Sequence, residues 1–209
     1  GHQKQFDVTV MERAILDRAQ TRLGLEQAQV LHPSVMYKLL RFYWYEKTSI
    51  RLLTQHTDYR RLTLTGNEDQ LKDLPEDYVA ARFYFRPSFP DTPDNRRFAA
   101  DAIRAISRRL PVVLLNTGLD LDDHGDIDVS GGKGVYRVDH LITPQGNLEL
   151  QTRIIANARA FVGTYGGLAY VAPFYGVPAA GLYSGESDLM PAHLDVGWRL
   201  GRDMNAALA

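Results

Sequence analysis

The sequence contains no cysteine. That excludes disulfide bonds and thiolate metal centres, and it fits a reducing compartment. It also lacks a charge surplus: 24 Lys and Arg against 25 Asp and Glu leave a formal net charge of −1. A general nucleic-acid binder carries a basic excess, so that role is excluded. No uninterrupted apolar run approaches the ~20 residues that a membrane-spanning helix needs. No HExxH motif and no His/Asp/Glu cluster with ligand spacing occurs, so no built-in metal is expected. Internal repeats and low-complexity tracts are missing too. What remains is ordinary for a globular protein: a hydrophobic content of 44% and a charged content of 23% over 209 residues suit one large domain, or one domain with a helical extension. The expected location is the cytoplasm, with peripheral membrane attachment open for a longer form of the chain. Gly1-His2 reads as a cloning or protease remnant, and the chain is expected to be a fragment.

Two grammars divide the chain. Residues 9 to about 31 carry helical periodicity, with Thr9 as N-cap, Ile15, Leu16, Ala19 and Leu23 on one face, and Gly24 as a stop. Pro33-Ser34 opens a second helix with Val35, Met36, Leu39, Leu40 and Tyr43 on one side. Its Phe42-Tyr43-Trp44-Tyr45 cluster is suited to stacking on a sugar ring, but reads in preference as core or as a face buried by a partner domain. Residues 50–64 are arginine-rich and ambiguous between helix and loop, and residues 66–73 form a polar linker. The expected division is therefore a helical extension or interdomain segment over 1–73 and an α/β domain over 74–209.

After Pro75 strands and helices alternate, the pattern of a parallel sheet with flanking helices. Residues 78–85 (YVAARFYF) read as the first strand, 95–110 as a helix, 111–116 (PVVLLN) as the second strand and 134–140 (GVYRVDH) as a weak third. The most informative stretch is 147–184, NLELQTRIIANARAFVGTYGGLAYVAPFYGVPAAGLYS. Asn147 reads as an N-cap, Leu148 to Ala158 as a helix, and Ala160-Phe161-Val162 as a strand covered on both faces. Gly163-Thr164-Tyr165-Gly166-Gly167 then makes a tight turn into a helix that stops at Gly176, and residues 177–183 form the last buried strand. The closing segment, 188–209, is expected to fold back as a helix.

Two parallel strands joined by a helix place that glycine turn at the carboxyl edge of the sheet, where doubly wound folds bind ligands. Adjacent glycines admit an anion close to backbone N–H groups, and the helix start carries partial positive charge. A phosphate or diphosphate is the guest that chemistry suits. The same glycines would also serve close helix–strand packing. Arg86 follows the first strand and so belongs to the same edge, where a guanidinium can grip a diphosphate bidentately. Ser88 is a further donor candidate, and His140, ending the third strand, is a candidate contact for a base or ribose.

Three motif-like runs fail on inspection. Counting from Asp120, a calcium loop would need an oxygen ligand at His124 and a glutamate at Gly131, so residues 120–128 read as a solvated acidic loop. Ser130-Gly131-Gly132-Lys133-Gly134 lacks the P-loop's upstream glycine and its Ser or Thr after the lysine. Around Tyr165 the G-x-Y-x-G spacing mimics a nucleophile elbow without the serine, which argues against hydrolase chemistry of that type.

With these residues laid out, residues 74–209 resemble the C-terminal, donor-binding Rossmann-like domain of a GT-B glycosyltransferase, distantly of the lipopolysaccharide heptosyltransferase type. The resemblance rests on the strand order and the run AFVGTYGGLAYVAPFYGVPAAGLYS, including Gly176-Val177-Pro178 before the last strand. It implies a nucleotide-sugar donor as substrate, no separate cofactor, and a glycan or glycoconjugate acceptor in polysaccharide assembly. It also implies an N-terminal partner domain, the expected source of the catalytic base, which leaves no catalytic residue assigned in this chain. It assigns Thr164, Tyr165, Gly166 and Gly167 to the donor phosphates, Arg86 to charge neutralisation, and His140 and its neighbours to the nucleoside. The chain departs from heptosyltransferases at Tyr165, where they carry aspartate, and at Tyr170, where they carry histidine. The paired glutamates of many retaining enzymes are missing from residues 168–183, which points toward inversion. Two rivals follow: a nucleotide-sugar epimerase or other GT-B-like transferase, and a non-catalytic binding or scaffold domain.

Overall fold

A computed structural model describes residues 9–26, 49, 51, 61–65, 71–118, 125–127, 132–187, 189–203 and 205–209. The chain divides into two compact units, Gly1–Asp58 and Tyr59–Ala209. In the first, helix α1 spans Val10–Leu23. The Thr9 hydroxyl accepts the Glu12 N–H at 3.1 Å while the Glu12 carboxylate accepts the Thr9 N–H at 2.7 Å, a reciprocal cap. Gly24 ends the helix in the left-handed conformation at φ 65°, its N–H returning to the carbonyls of Gln20 and Thr21. The helix expected from Pro33, with its aromatic cluster, lies outside the described residues.

The second unit is built on five parallel strands: β1 Val79–Arg82, β2 Val112–Leu114, β3 Val135–Arg137, β4 Ala160–Thr164 and β5 Ala179–Leu182, in the spatial order β3-β2-β1-β4-β5. Among the described residues, four α-helices accompany them: α2 Pro93–Ser107, α3 Asn147–Ala156, α4 Gly167–Phe174 and α5 Pro191–Asp203. Side chains alternate along the strands, so the two faces bury different sets. Ala80, Val113, Leu115, Phe161 and Ala179 pack with Leu150, Ile154, Ala169 and Ala172 of α3 and α4. Ala81, Val112 and Leu114 pack on the other face with Ala99 and Ile103 of α2. Both faces being covered is what makes a parallel sheet of short apolar runs stable. This is an α/β, Rossmann-like fold, as the alternation of strands and helices implies.

The helix boundaries follow local chemistry. Thr92 caps α2 through the Asn95 N–H at 3.2 Å, and Pro93 sits in its first turn. Asn147 is not the N-cap expected of it: Gly146 holds that position, and Asn147 Oδ1 instead accepts from Gln151 Nε2 at 2.5 Å. Gly176, at φ 75°, turns the chain out of α4 into β5. The closing segment folds back as expected. After α5, residues 207–209 run alongside β5, with the Gly181 N–H donating to the Ala209 carbonyl at 2.8 Å.

In the order β3-β2-β1-β4-β5 the winding reverses between β1 and β4. The carboxyl ends of those two strands therefore flank a crevice, which lies between Arg82–Arg86 on one side and the glycine turn on the other.

Candidate functional site: the crevice between β1 and β4

Beyond Arg82 the chain continues past the end of β1 and is held there from both sides. Residues 125–127 run antiparallel to it, the Phe85 N–H donating to Gly125 O at 3.1 Å and the Ile127 N–H to Phe83 O at 3.3 Å. On the β4 side, the Thr164 hydroxyl donates to Tyr84 O at 2.9 Å and accepts the Tyr84 N–H at 3.0 Å. Thr164 is buried, so its hydroxyl acts as a clasp between strands. Residues 86–89 then close a tight turn, with reciprocal bonds between Arg86 and Phe89 of 3.1 and 2.9 Å. That turn carries the Arg86 side chain to the glycine turn, where Nη1 donates to Tyr165 O at 3.3 Å and the guanidinium lies 5.9 Å from the Tyr165 ring centre.

The glycine turn is shaped by what approaches it. A Cβ on Gly166 would stand 2.0 Å from the Tyr84 hydroxyl and 3.3 Å from Arg86 Nη1, whereas one on Gly167 would meet nothing within 4 Å. Gly166 is therefore required by close approach, and Gly167 opens α4 into unfilled space. No side chain caps the start of α4, which leaves the helix dipole directed at the crevice. A cleft of about 410 Å³ lies here, lined by Arg86, Tyr165, Gly166, Gly167, Tyr170, Met190 and His193. None of these is acidic. Tyr170 donates to the Tyr165 hydroxyl at 3.0 Å, and burial raises the Tyr170 pKa, which keeps that phenol neutral at ordinary pH.

Five residues expected at the site are thus brought together: Arg86, Thr164, Tyr165, Gly166 and Gly167. Thr164 differs from the other four in lying behind the cleft wall. Two are placed elsewhere. Ser88 is fully buried, and its carbonyl accepts the N–H groups of Ser184 and Gly185 at 2.9 and 3.2 Å, tethering the loop after β5. His140 lies in the exposed 3-10 turn Asp139–Leu141 after β3, two strands away from β1. No group of three or more potential metal-binding side chains occurs among the described residues.

Beneath the crevice runs a polar relay that the linear reading missed. Arg82, 8% exposed, donates Nη1 to Leu115 O and to Gln151 Oε1, each at 2.8 Å, and pairs through Nη2 with Asp126 Oδ1 at 2.9 Å. Asp126 Oδ2 accepts the N–H groups of Thr117 at 2.7 Å and Gly118 at 3.2 Å. The expectation of a solvated acidic loop is corrected at this residue: Asp126 is held by a buried guanidinium, and Ile127 beside it lies in the core. The rest of that loop lies outside the described residues. Burial presses the Arg82 pKa down and Asp126 draws it back up. An arginine within an apolar strand was itself the available signal, because a buried cation demands a partner. His193 and Met190 carried no comparable mark, since only the return of α5 onto α4 brings them to the cleft.

The order of the strands, the covering of both faces and the crevice at the reversal define an α/β protein of Rossmann-like architecture. No family model matches the sequence, and none of the curated proteins does. Among solved structures, the crystal structure of the glycotransferase of kitacinnamycin is similar at 15% sequence identity with a TM-score of 0.37. That similarity covers 69% of this chain and 34% of the other, so the chain spans about a third of the length of the structure it matches. No helix among the described residues is long and apolar enough to cross a membrane.

Proposed function

We propose that this chain is the donor-binding part of a glycosyltransferase, taking a nucleotide-sugar and releasing its nucleoside diphosphate as a sugar passes to a glycan or glycoconjugate hydroxyl. The observation that carries the reading is the juxtaposition of Arg86 with the uncapped glycine start of α4, in a cleft whose described lining includes no carboxylate. When the acceptor oxygen bonds to the anomeric carbon, the carbon–oxygen bond to the diphosphate breaks and its electron pair leaves on phosphate oxygen. A fixed guanidinium and aligned N–H dipoles in a site partly shielded from water stabilise that developing charge. Deprotonation of the acceptor falls to a base supplied from elsewhere in the full protein. Arg86 and the backbone of Gly166 and Gly167 are the phosphate contacts in this reading, and Tyr165 shapes the turn and supplies the carbonyl that orients Arg86.

Thermal shift against UDP, GDP, CMP and ADP tests the reading. One diphosphate should stabilise the fold, by about 2.7 kcal/mol at a hundred times its Kd. Arg86→Ala should weaken that nucleotide roughly 10- to 100-fold, the worth of a charge-assisted contact, while leaving binding of the parent nucleoside nearly unchanged. Stabilisation by none of the four at millimolar concentration would refute the proposal and favour a scaffold role. Equal losses for nucleotide and nucleoside would remove Arg86 from the phosphate site.

A further inference from the structure

His193 sits in the first turn of α5, its backbone N–H anchored on Met190 O at 2.9 Å, and α5 packs on α4. It thereby reaches the same cleft as Arg86 from a different element. The other titratable groups facing that cleft are Arg86, Tyr165 and Tyr170. The guanidinium is charged throughout the ordinary pH range. The two phenols are bonded to each other, and burial holds Tyr170 neutral. On its own helix, the charge of Asp195 is paired with Arg199 at 3.2 Å. Among the described residues of the cleft, the imidazole is therefore the group whose charge can change near neutral pH.

We infer that His193 is an anion-binding residue of this cleft that takes up a proton as the phosphates arrive, so that ligand binding and protonation are coupled. The inference deepens the donor-site reading and rests on it for the identity of the anion. In the empty cleft, burial lowers the His193 pKa below its ordinary 6.5, which keeps the ring neutral at pH 7. A phosphate charge within about 4–6 Å favours the imidazolium and raises the pKa by roughly 1–3 units. The proton comes from solvent and no covalent bond changes. Affinity then strengthens as pH falls through the pKa of the complex and levels off below that of the empty site, by about tenfold for each unit between them.

The test follows the His193 ring proton by NMR across pH in the full chain, with His193→Gln supplying the assignment. Spectra are recorded alone, with inorganic pyrophosphate, and with each of the four nucleotides. The expected midpoint lies below 6.5 alone and rises by a unit or more with pyrophosphate. Failure of pyrophosphate to bind at millimolar concentration, or binding that leaves the midpoint where it was, overturns the inference. A raised midpoint with pyrophosphate, accompanied by no binding of any nucleotide, upholds His193 as an anion contact and refutes the donor-site reading. A nucleotide that binds in an Arg86-dependent manner while His193 titrates unchanged does the reverse.

Discussion

Gly166→Ala offers the sharpest test of the crevice's construction, because the structure says which atom the new methyl group would strike. The backbone at Gly166 is extended, so alanine meets no conformational penalty there. The cost comes from the Tyr84 hydroxyl, 2.0 Å from the position of the added Cβ. Tyr84 is buried and its backbone is clasped by Thr164, so relief requires its ring to shift within packed surroundings. Overpacking of this kind costs about 1–3 kcal/mol, and replacing glycine by alanine at a helix N-cap adds up to about 1 kcal/mol. For a chain of this size each kcal/mol moves Tm by about 2–4 °C, so the clash alone predicts a loss of about 2–12 °C in thermal unfolding. Tyr84→Phe deletes the offending oxygen and leaves the ring carbon 3.3 Å away as the nearest atom of that side chain. The double variant should recover most of the clash term. Gly167→Ala, which meets nothing within 4 Å, should stay within about 0.5 kcal/mol of the parent. If Tyr84→Phe fails to relieve Gly166→Ala, or if Gly167→Ala costs as much, the close approach of Tyr84 to the turn is not what selects glycine.

Asp126→Asn leaves Arg82 buried without a counter-charge and should cost about 3–5 kcal/mol in urea unfolding, with much of that loss recovered by adding Arg82→Met; simple additivity of the two would show that the pair is not coupled. His193 bears on stability independently of any ligand. Its folded pKa is lowered, so between that value and the unfolded 6.5 the unfolded chain binds the extra proton, and stability must fall as pH drops through that window. Denaturation midpoints in His193→Gln should lose this component, and an unchanged pH profile would contradict the burial of the ring.

The two halves of the site differ in how far they could be read from the chain alone. Glycines, caps and short apolar runs act through neighbours in sequence, so Thr9, the 163–167 turn and the stop at Gly176 announced themselves by local chemistry, whereas the helix expected from residue 95 begins at Pro93 under the cap of Thr92. Asn147 misled because its side chain had a competing partner, Gln151, one helical turn along. Parallel strands then followed from apolar runs too short to be helices, alternating with helical segments. Arg86 could be set at the carboxyl edge because it comes soon after the first strand, although that strand ends at Arg82 and not at Phe85 as its apolar run suggests.

Local sequence therefore determined the order of strands and helices in the second unit and the place of the glycine turn. Tertiary structure alone decided which of the polar residues meet. Ser88, close to Arg86 in the chain, was drawn into the interior to hold the loop after β5, and His140 was carried to the turn after the outer strand β3. Asp126 was pulled from an acidic run onto Arg82, and His193 was returned to the cleft by the last helix. The physical reason is the same in each case. Turns and caps are satisfied within a few residues, whereas buried charge and cleft walls are completed by partners that only the packing of distant elements supplies.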